Sequence, residues 1–366
     1  MKEYFKNSKT NLVSGKIDSG KTTGVMFSEV KRIIENEENL LVLDLKSEYY
    51  QEYYNTLKDK GYEIAVINLA DSLKSNNYNP LTLPFEYYKN NQIDKAIELI
   101  EKLAKRIFED NNVEGDPFWA NTSADLFTGL SLMIMKEAKS VDEVNIGSVS
   151  LAMNLNDNTL MKDYLSKLNA NDPIYITASS TIYAPNETRG SILSVAKQKI
   201  KSYCVKPNLL ALLCSTNFDL LNIKDKKTAF FVILNEDNID TNDIANIFVD
   251  QIYYLIKEKN IGFNILLDNI DFIHKLDSLY SMLNIPLAKV KTIVATRNID
   301  ELKTMYPSGT FNNIITNIKI KGNKVIRNDE EEEVLICTDN KKHAATYPIT
   351  NLKTMFFKVD EYLNNK

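Results

Sequence analysis

Residues 15–22 read GKIDSGKT. The spacing GxxxxGK[ST] winds a backbone loop around a phosphate, with successive N–H groups and the following helix N-terminus supplying partial positive charge. Gly15 and Gly20 permit the tight path. Lys21 is placed to reach β- and γ-phosphates, and Thr22 to set its hydroxyl on Mg2+. Lys16, Ser19 and Thr23 complete the lining of the loop. The chemistry expected is binding of ATP with Mg2+. Asp18, inside the loop, puts a carboxylate near the expected phosphates, either turned outward or weakening the binding.

Such a loop needs an acidic partner at the end of a neighbouring buried strand, to hold Mg2+ through water. Asp268 directly follows the apolar run NILL, and Glu236 and Asp237 end the run AFFVILNED. Asp268 is preferred because no Asn intervenes between it and its strand. The ordinary alternative for any of them is a strand-end or helix-capping carboxylate.

These residues require a strand before the loop and a helix after it. Residues 11–14 are a short strand candidate. Residues 22–35 have Val25, Met26, Val30, Ile33 and Ile34 at helical spacing. Residues 40–45 (LLVLDL) form a continuous apolar run, as in a strand buried on both faces. A helix over 48–60, ended by Gly61, and a strand over 64–69 follow. Strand–helix–strand–helix–strand implies a parallel sheet with covering helices. From about 85 to 203 the periodicity is mostly helical, with Ile93, Ala96, Ile97, Ile100, Leu103, Ala104 and Ile107 on one stripe. Strands return at 229–234, 264–267 and 292–295, with a helix over 244–257. Short edge strands are expected at 315–320 and 334–338, and the acidic run 329–333 as a solvated turn.

Composition narrows the class. The chain has 366 residues, 44% hydrophobic and 25% charged, which suits a soluble chain of roughly two domains. A net charge of −5 is no signature of a protein coated in nucleic acid. Cys204, Cys214 and Cys337, with His274 and His343, lack the spacing of a zinc centre. No apolar run approaches the ~18 residues that span a bilayer, and the first residues lack a signal-peptide core, so a cytoplasmic protein is expected.

The order of motifs resembles the type IV secretion coupling proteins, the TraG-like conjugative DNA-transfer ATPases, over roughly residues 11–322. Residues 15–22 match the family's first nucleotide motif. VLDLKSEYY (42–50) resembles its Asp-Pro-Lys-Gly-Glu segment, with Asp44, Lys46 and Glu48 kept and Leu45 and Ser47 in place of Pro and Gly. Asn79-Pro80-Leu81, Asp116-Pro117-Phe118-Trp119 and Thr188-Arg189-Gly190-Ser191-Ile192 resemble further family segments. Residues 245–253 resemble the helix before the second nucleotide motif, and LLDNIDFI (266–273) that motif itself.

The resemblance implies an α/β, RecA-like P-loop NTPase with a mainly parallel sheet. Its nucleotide-binding domain would comprise residues 1–84 and 204–366, with an all-helical domain, 85–203, inserted. It also implies a homo-oligomer, a hexameric ring, acting on DNA or a DNA–relaxase complex with the type IV secretion machinery at the membrane. No basic run or aromatic–basic interleaving marks DNA binding in the residues themselves. Family members often carry an N-terminal membrane anchor; the expectation here is a form without it, recruited to the inner face of the cell membrane by a partner.

Two positions depart from the pattern. Asn269 stands where the family has the Glu that orients or deprotonates the attacking water. Arg297 stands where the family tends to place a γ-phosphate-sensing Gln. Asp271 is a substitute base or a solvated helix-start acid. Arg189 and Arg297 are candidates for the arginine that acts across a ring interface. The catalytic set is therefore Lys21, Asp268 and Arg297. The alternative function is a degenerate, non-hydrolysing ATP-binding adaptor or regulatory subunit.

Overall fold

The computed structural model describes residues 5, 8–109, 116–154, 158–321, 324–327 and 330–332. Two compact units emerge, one from residues 1–70 with 222–366 and the other from 71–221.

The first unit is built on a sheet whose strands are β1 (Thr10–Gly15), β2 (Leu40–Asp44), β3 (Glu63–Asn68), β4 (Thr228–Ile233), β5 (Phe263–Leu267), β6 (Val290–Thr296), β7 (Thr316–Lys321), β8 (Lys324–Arg327) and β9 (Glu330–Glu332). Their order is β3-β4-β2-β5-β6-β1-β7-β8-β9. From β3 to β7 every neighbouring pair is parallel; β8 and β9 continue the sheet antiparallel. The run 329–333, expected as a turn, thus contributes a strand: Glu330 and Glu332 pair through their backbones with Arg327 and Val325. The strand expected at 334–338 lies outside the described residues.

Burial explains the runs. Every residue of β2, β4 and β5 is buried, as sheet strands covered on both faces require. One face carries Val13, Val42, Phe231, Leu266 and Ile293. It packs on α1 (Phe27–Glu35) and α2 (Glu48–Asp59) through Val30, Ile33, Tyr49, Tyr53 and Leu57. The alternating residues face the other way: Phe230 meets Phe248 of the long helix Asp243–Lys259 edge-on, with centroids 5.4 Å apart. Each fully buried Leu or Phe stabilises by about 1.5–3 kcal/mol.

The second unit enters the chain between β3 and β4 and is helical: α3 (Thr82–Lys89), α4 (Ile93–Phe108), α5 (Pro117–Glu137), α6 (Ile146–Met153), α7 (Asn158–Ser166), α8 (Pro173–Ile182), α9 (Asn186–Cys204) and α10 (Pro207–Cys214). Two Asp-Pro pairs start helices in the same way. Asp116 accepts the Phe118 N–H and Asp172 the Ile174 N–H, each at 2.9 Å, with Pro at the first helical position where no donor is needed. The unit is wider than 85–203 because both flanks bond to each other. The Tyr78 N–H donates to the Leu212 carbonyl at 2.8 Å, and Asn77 Nδ2 to Ser215 Oγ at 2.9 Å.

Parallel register collects the functional positions on one edge of the sheet. Ser14 lies level with Thr296, Leu43 with Leu267, and Leu267 with Val294. The loop after β1, Asp44 after Leu43, Asp268 after β5 and Arg297 after β6 therefore all leave the C-terminal edge, where parallel α/β sheets hold their ligands.

Candidate nucleotide site

Gly15 is required by contact. A Cβ there would lie 2.6 Å from Ser19 Oγ and 3.0 Å from Ile320 Cβ. Gly20 is required by conformation, with φ of 85° at the mouth of the helix. Asp18 also takes positive φ, 58°, and its side chain is exposed, so the loop carboxylate turns to solvent. The helix expected over 22–35 opens on a π-wound turn, Lys21–Met26, before α1 begins. Such turns recur at functional sites.

Lys21 is buried and folds over its own loop. Its Nζ donates to the Gly15 carbonyl at 2.6 Å and to the Lys16 carbonyl at 3.1 Å. Burial lowers its pKa below the usual lysine value, Asp268 and Asp271 oppose this, and Arg297 lowers it further. Lys21, Asp268, Asp271 and Arg297 thus share one electrostatic site. Ser19 is buried with its Oγ unbonded, whereas Lys16 is exposed and Thr23 half-buried.

Thr22 Oγ1 donates to Asp268 Oδ2 at 2.8 Å. The same oxygen accepts from Tyr49 OH at 2.6 Å, and Oδ1 accepts the Asn269 N–H at 2.9 Å. Asp268 is fully buried, which pushes its carboxyl above the usual carboxylate range. The Tyr49 and Thr22 hydrogen bonds and the Lys21 charge act in the opposite direction. A hydroxyl and a carboxylate, both hard oxygen donors, fit Mg2+, which takes few protein ligands and keeps waters and phosphate oxygens for the rest. Thr22 and Asp268 are the residues that would hold it. Glu236 and Asp237 are not part of this cluster: they are exposed in a turn organised by Asn235, whose Oδ1 accepts the Asp237 N–H at 3.0 Å.

Asn269 sits in the left-handed region, φ 56° and ψ 42°. Asn tolerates that conformation better than most residues, which gives a backbone reason for it. Arg297 is fixed from below: its guanidinium lies 4.5 Å over the Phe272 ring, with Nε 3.5 Å from Asp271 Oδ2. Arg189 belongs to the helical unit, in the first turn of α9.

Tyr49 and Phe272 lie within the segments 42–50 and 266–273, but nothing in the sequence singles out their roles. Among 19 tyrosines a single buried hydroxyl has no periodic signature, and its only flag is adjacency to the Asp44–Glu48 segment.

Residues 4–338 match the family model described as type IV secretory system conjugative DNA transfer. No curated relative matches the chain by sequence. Among solved structures it is similar to the bacterial conjugative coupling protein TrwBdeltaN70 in complex with sulphate, with TM-score 0.60, 13% identity, and coverage of 86% of this chain and 70% of that one. It is also similar to the plasmid coupling protein TrwB in complex with ADP and Mg2+, with TM-score 0.58, 13% identity, and coverage of 93% and 80%. VirB4 of Thermoanaerobacter pseudethanolicus matches at TM-score 0.54 and 9% identity, covering 85% of this chain and 76% of that one. The shared fold is that of RecA-like P-loop NTPases. Among the described residues no helix is long and apolar enough to cross a membrane.

Proposed function

Because the chain belongs to the type IV secretory system conjugative DNA transfer family, we propose that it binds Mg·ATP at the 15–22 loop and serves as a coupling component of conjugative DNA transfer. The observation that carries the nucleotide reading is the Thr22–Asp268 hydrogen bond at 2.8 Å. It joins the last loop residue to a buried strand-end acid, the pairing that Mg·nucleotide chemistry needs. TrwB, which shares the fold, is known in complex with ADP and Mg2+.

In this reading Lys21 leaves the Gly15 and Lys16 carbonyls to meet the phosphates, and Arg297 faces the terminal phosphate from the end of β6, the strand between β1 and β5. When Mg2+ is bound it neutralises phosphate charge. Thr22 and Asp268 would hold it, with waters and phosphate oxygens completing its shell. The partners would be DNA or a DNA–relaxase complex and the secretion machinery at the membrane, with further copies of the chain forming a ring. Scattered lysines would then track the phosphate backbone, and DNA binding would weaken steeply with salt. Flat binding between low and moderate salt would count against such a channel.

Asn269 favours a second reading. No carboxylate stands at the position after Asp268, and losing a general base typically slows catalysis about 10²–10⁴-fold. The chain would then act by holding ATP, as an adaptor or regulatory subunit.

Steady-state ATP turnover of the purified protein, with and without DNA, tests both readings beside Lys21→Ala. DNA-stimulated turnover lost in Lys21→Ala establishes the motor. Tight Mg·ATP binding without turnover establishes the adaptor. A protein that binds no Mg·nucleotide sinks both.

A further inference from the structure

Tyr49 stands in the first turn of α2, 1% exposed. Its hydroxyl donates at 2.6 Å to the Asp268 oxygen that Thr22 also contacts. The phenol cannot swing away. Its ring packs against Phe27 at 4.9 Å. One turn further on, Tyr53 OH donates to the Phe27 carbonyl at 2.9 Å. The start of α2 is fastened to the end of β2 by Asp44, whose oxygens accept the Glu48 and Tyr50 N–H groups at 2.9 and 3.0 Å. A phenylalanine would fill the same core space, so packing alone does not call for the hydroxyl.

Among the described residues Asp268 has three donors. Thr22 is one of them, and its hydroxyl is wanted by the cation. That leaves Tyr49 and the Asn269 N–H to orient the carboxylate independently of metal. The backbone donor fixes Oδ1, and Tyr49 is the donor from another element that fixes Oδ2.

We propose that Tyr49 is a positioning residue of the metal–nucleotide site, its hydroxyl holding the Asp268 carboxylate in the orientation from which Asp268 and Thr22 take the cation. The inference rests on the Mg·ATP reading. Partners of this kind behind a metal ligand typically change metal affinity 10–100-fold when removed.

The test is binding of a fluorescent ATP analogue to the full chain, titrated with Mg2+ and repeated in EDTA, for wild type and Tyr49→Phe. The Mg2+ concentration at half-maximal binding is expected to rise about tenfold in Tyr49→Phe, with metal-free nucleotide affinity unchanged. In an Asp268→Asn background the same substitution is expected to change nothing further. A wild type with metal-dependent binding and a Tyr49→Phe curve that overlays it overturns the positioning role alone. A lowered unfolding midpoint with equal loss of binding in EDTA assigns the hydroxyl to stability and also overturns it. A wild type whose binding ignores Mg2+ overturns the Mg·ATP reading and this inference with it.

Discussion

Asp271 accepts the Arg297 N–H at 2.8 Å and lies 3.5 Å from the Arg297 Nε, so one carboxylate fixes both the backbone and the guanidinium of that arginine. Its other oxygen takes the Thr296 hydroxyl. A carboxylate with these commitments, in a side chain only 9% exposed, is neither a solvated helix-start acid nor free to take a proton from water. It holds Arg297 in place at the end of β6. Arg297→Ala is expected to weaken ATP binding about tenfold relative to ADP, since a charge-assisted contact contributes about 1.5–3 kcal/mol. Asp271→Asn should shift the ratio in the same direction by less. Calorimetric titration with each nucleotide measures it. Equal losses for ATP and ADP would place Arg297 away from the terminal phosphate.

Asn269 combines a chemical loss with a conformational fit. At φ 56° it occupies a region that disfavours Glu by roughly 1 kcal/mol relative to Asn. Asn269→Glu is expected to raise ATP turnover about 10²-fold while lowering the unfolding midpoint slightly. Both quantities come from one preparation, by coupled assay and by thermal melt. Unchanged turnover would mean that another group already orients the attacking water.

The sheet was legible because burial on both faces leaves a continuous apolar run, and residues 40–43, 229–233 and 265–267 are such runs. The phosphate loop was legible because its chemistry is local: eight consecutive residues make it. The contacts around Asp268 and Arg297 were not. Tyr49 and Asp268 are 219 positions apart, and Phe272 supports Arg297 from another element. No spacing rule connects residues that only a sheet register brings together. The π-wound turn at Lys21–Met26 was hidden because its residues keep helical periodicity. The limits of the helical unit were hidden because Asn77, Tyr78, Leu212 and Ser215 join it through hydrogen bonds, which leave no hydrophobic pattern.

Ser47 shows what the family's glycine would supply. It precedes α2 with φ 61° and ψ 21°, and its side chain makes no capping bond. A non-glycine residue there costs about 1–2 kcal/mol, and glycine's greater freedom in the unfolded chain offsets part of this. Ser47→Gly is expected to stabilise the protein by about 1 kcal/mol, raising the thermal midpoint by roughly 2 °C. A lower midpoint would show that the serine sits there without strain.

Asp44 makes stability depend on pH. It is 1% exposed, and burial pushes its carboxyl up to about 7, the Tyr50 and Glu48 N–H groups opposing that rise. In the unfolded chain an Asp titrates near 3.9. Between those values the folded state holds a proton that the unfolded state has released. Stability contributed at low pH is therefore lost as pH rises from about 4 to about 7, and the curve is flat on either side. Asp44→Asn stays neutral and lacks this slope. Urea unfolding at pH 5 and pH 8 should show wild type losing on the order of 3 kcal/mol relative to the variant between the two. Parallel behaviour would mean that Asp44 is already ionised at pH 5, held by the helix N–H groups strongly enough to overcome its burial.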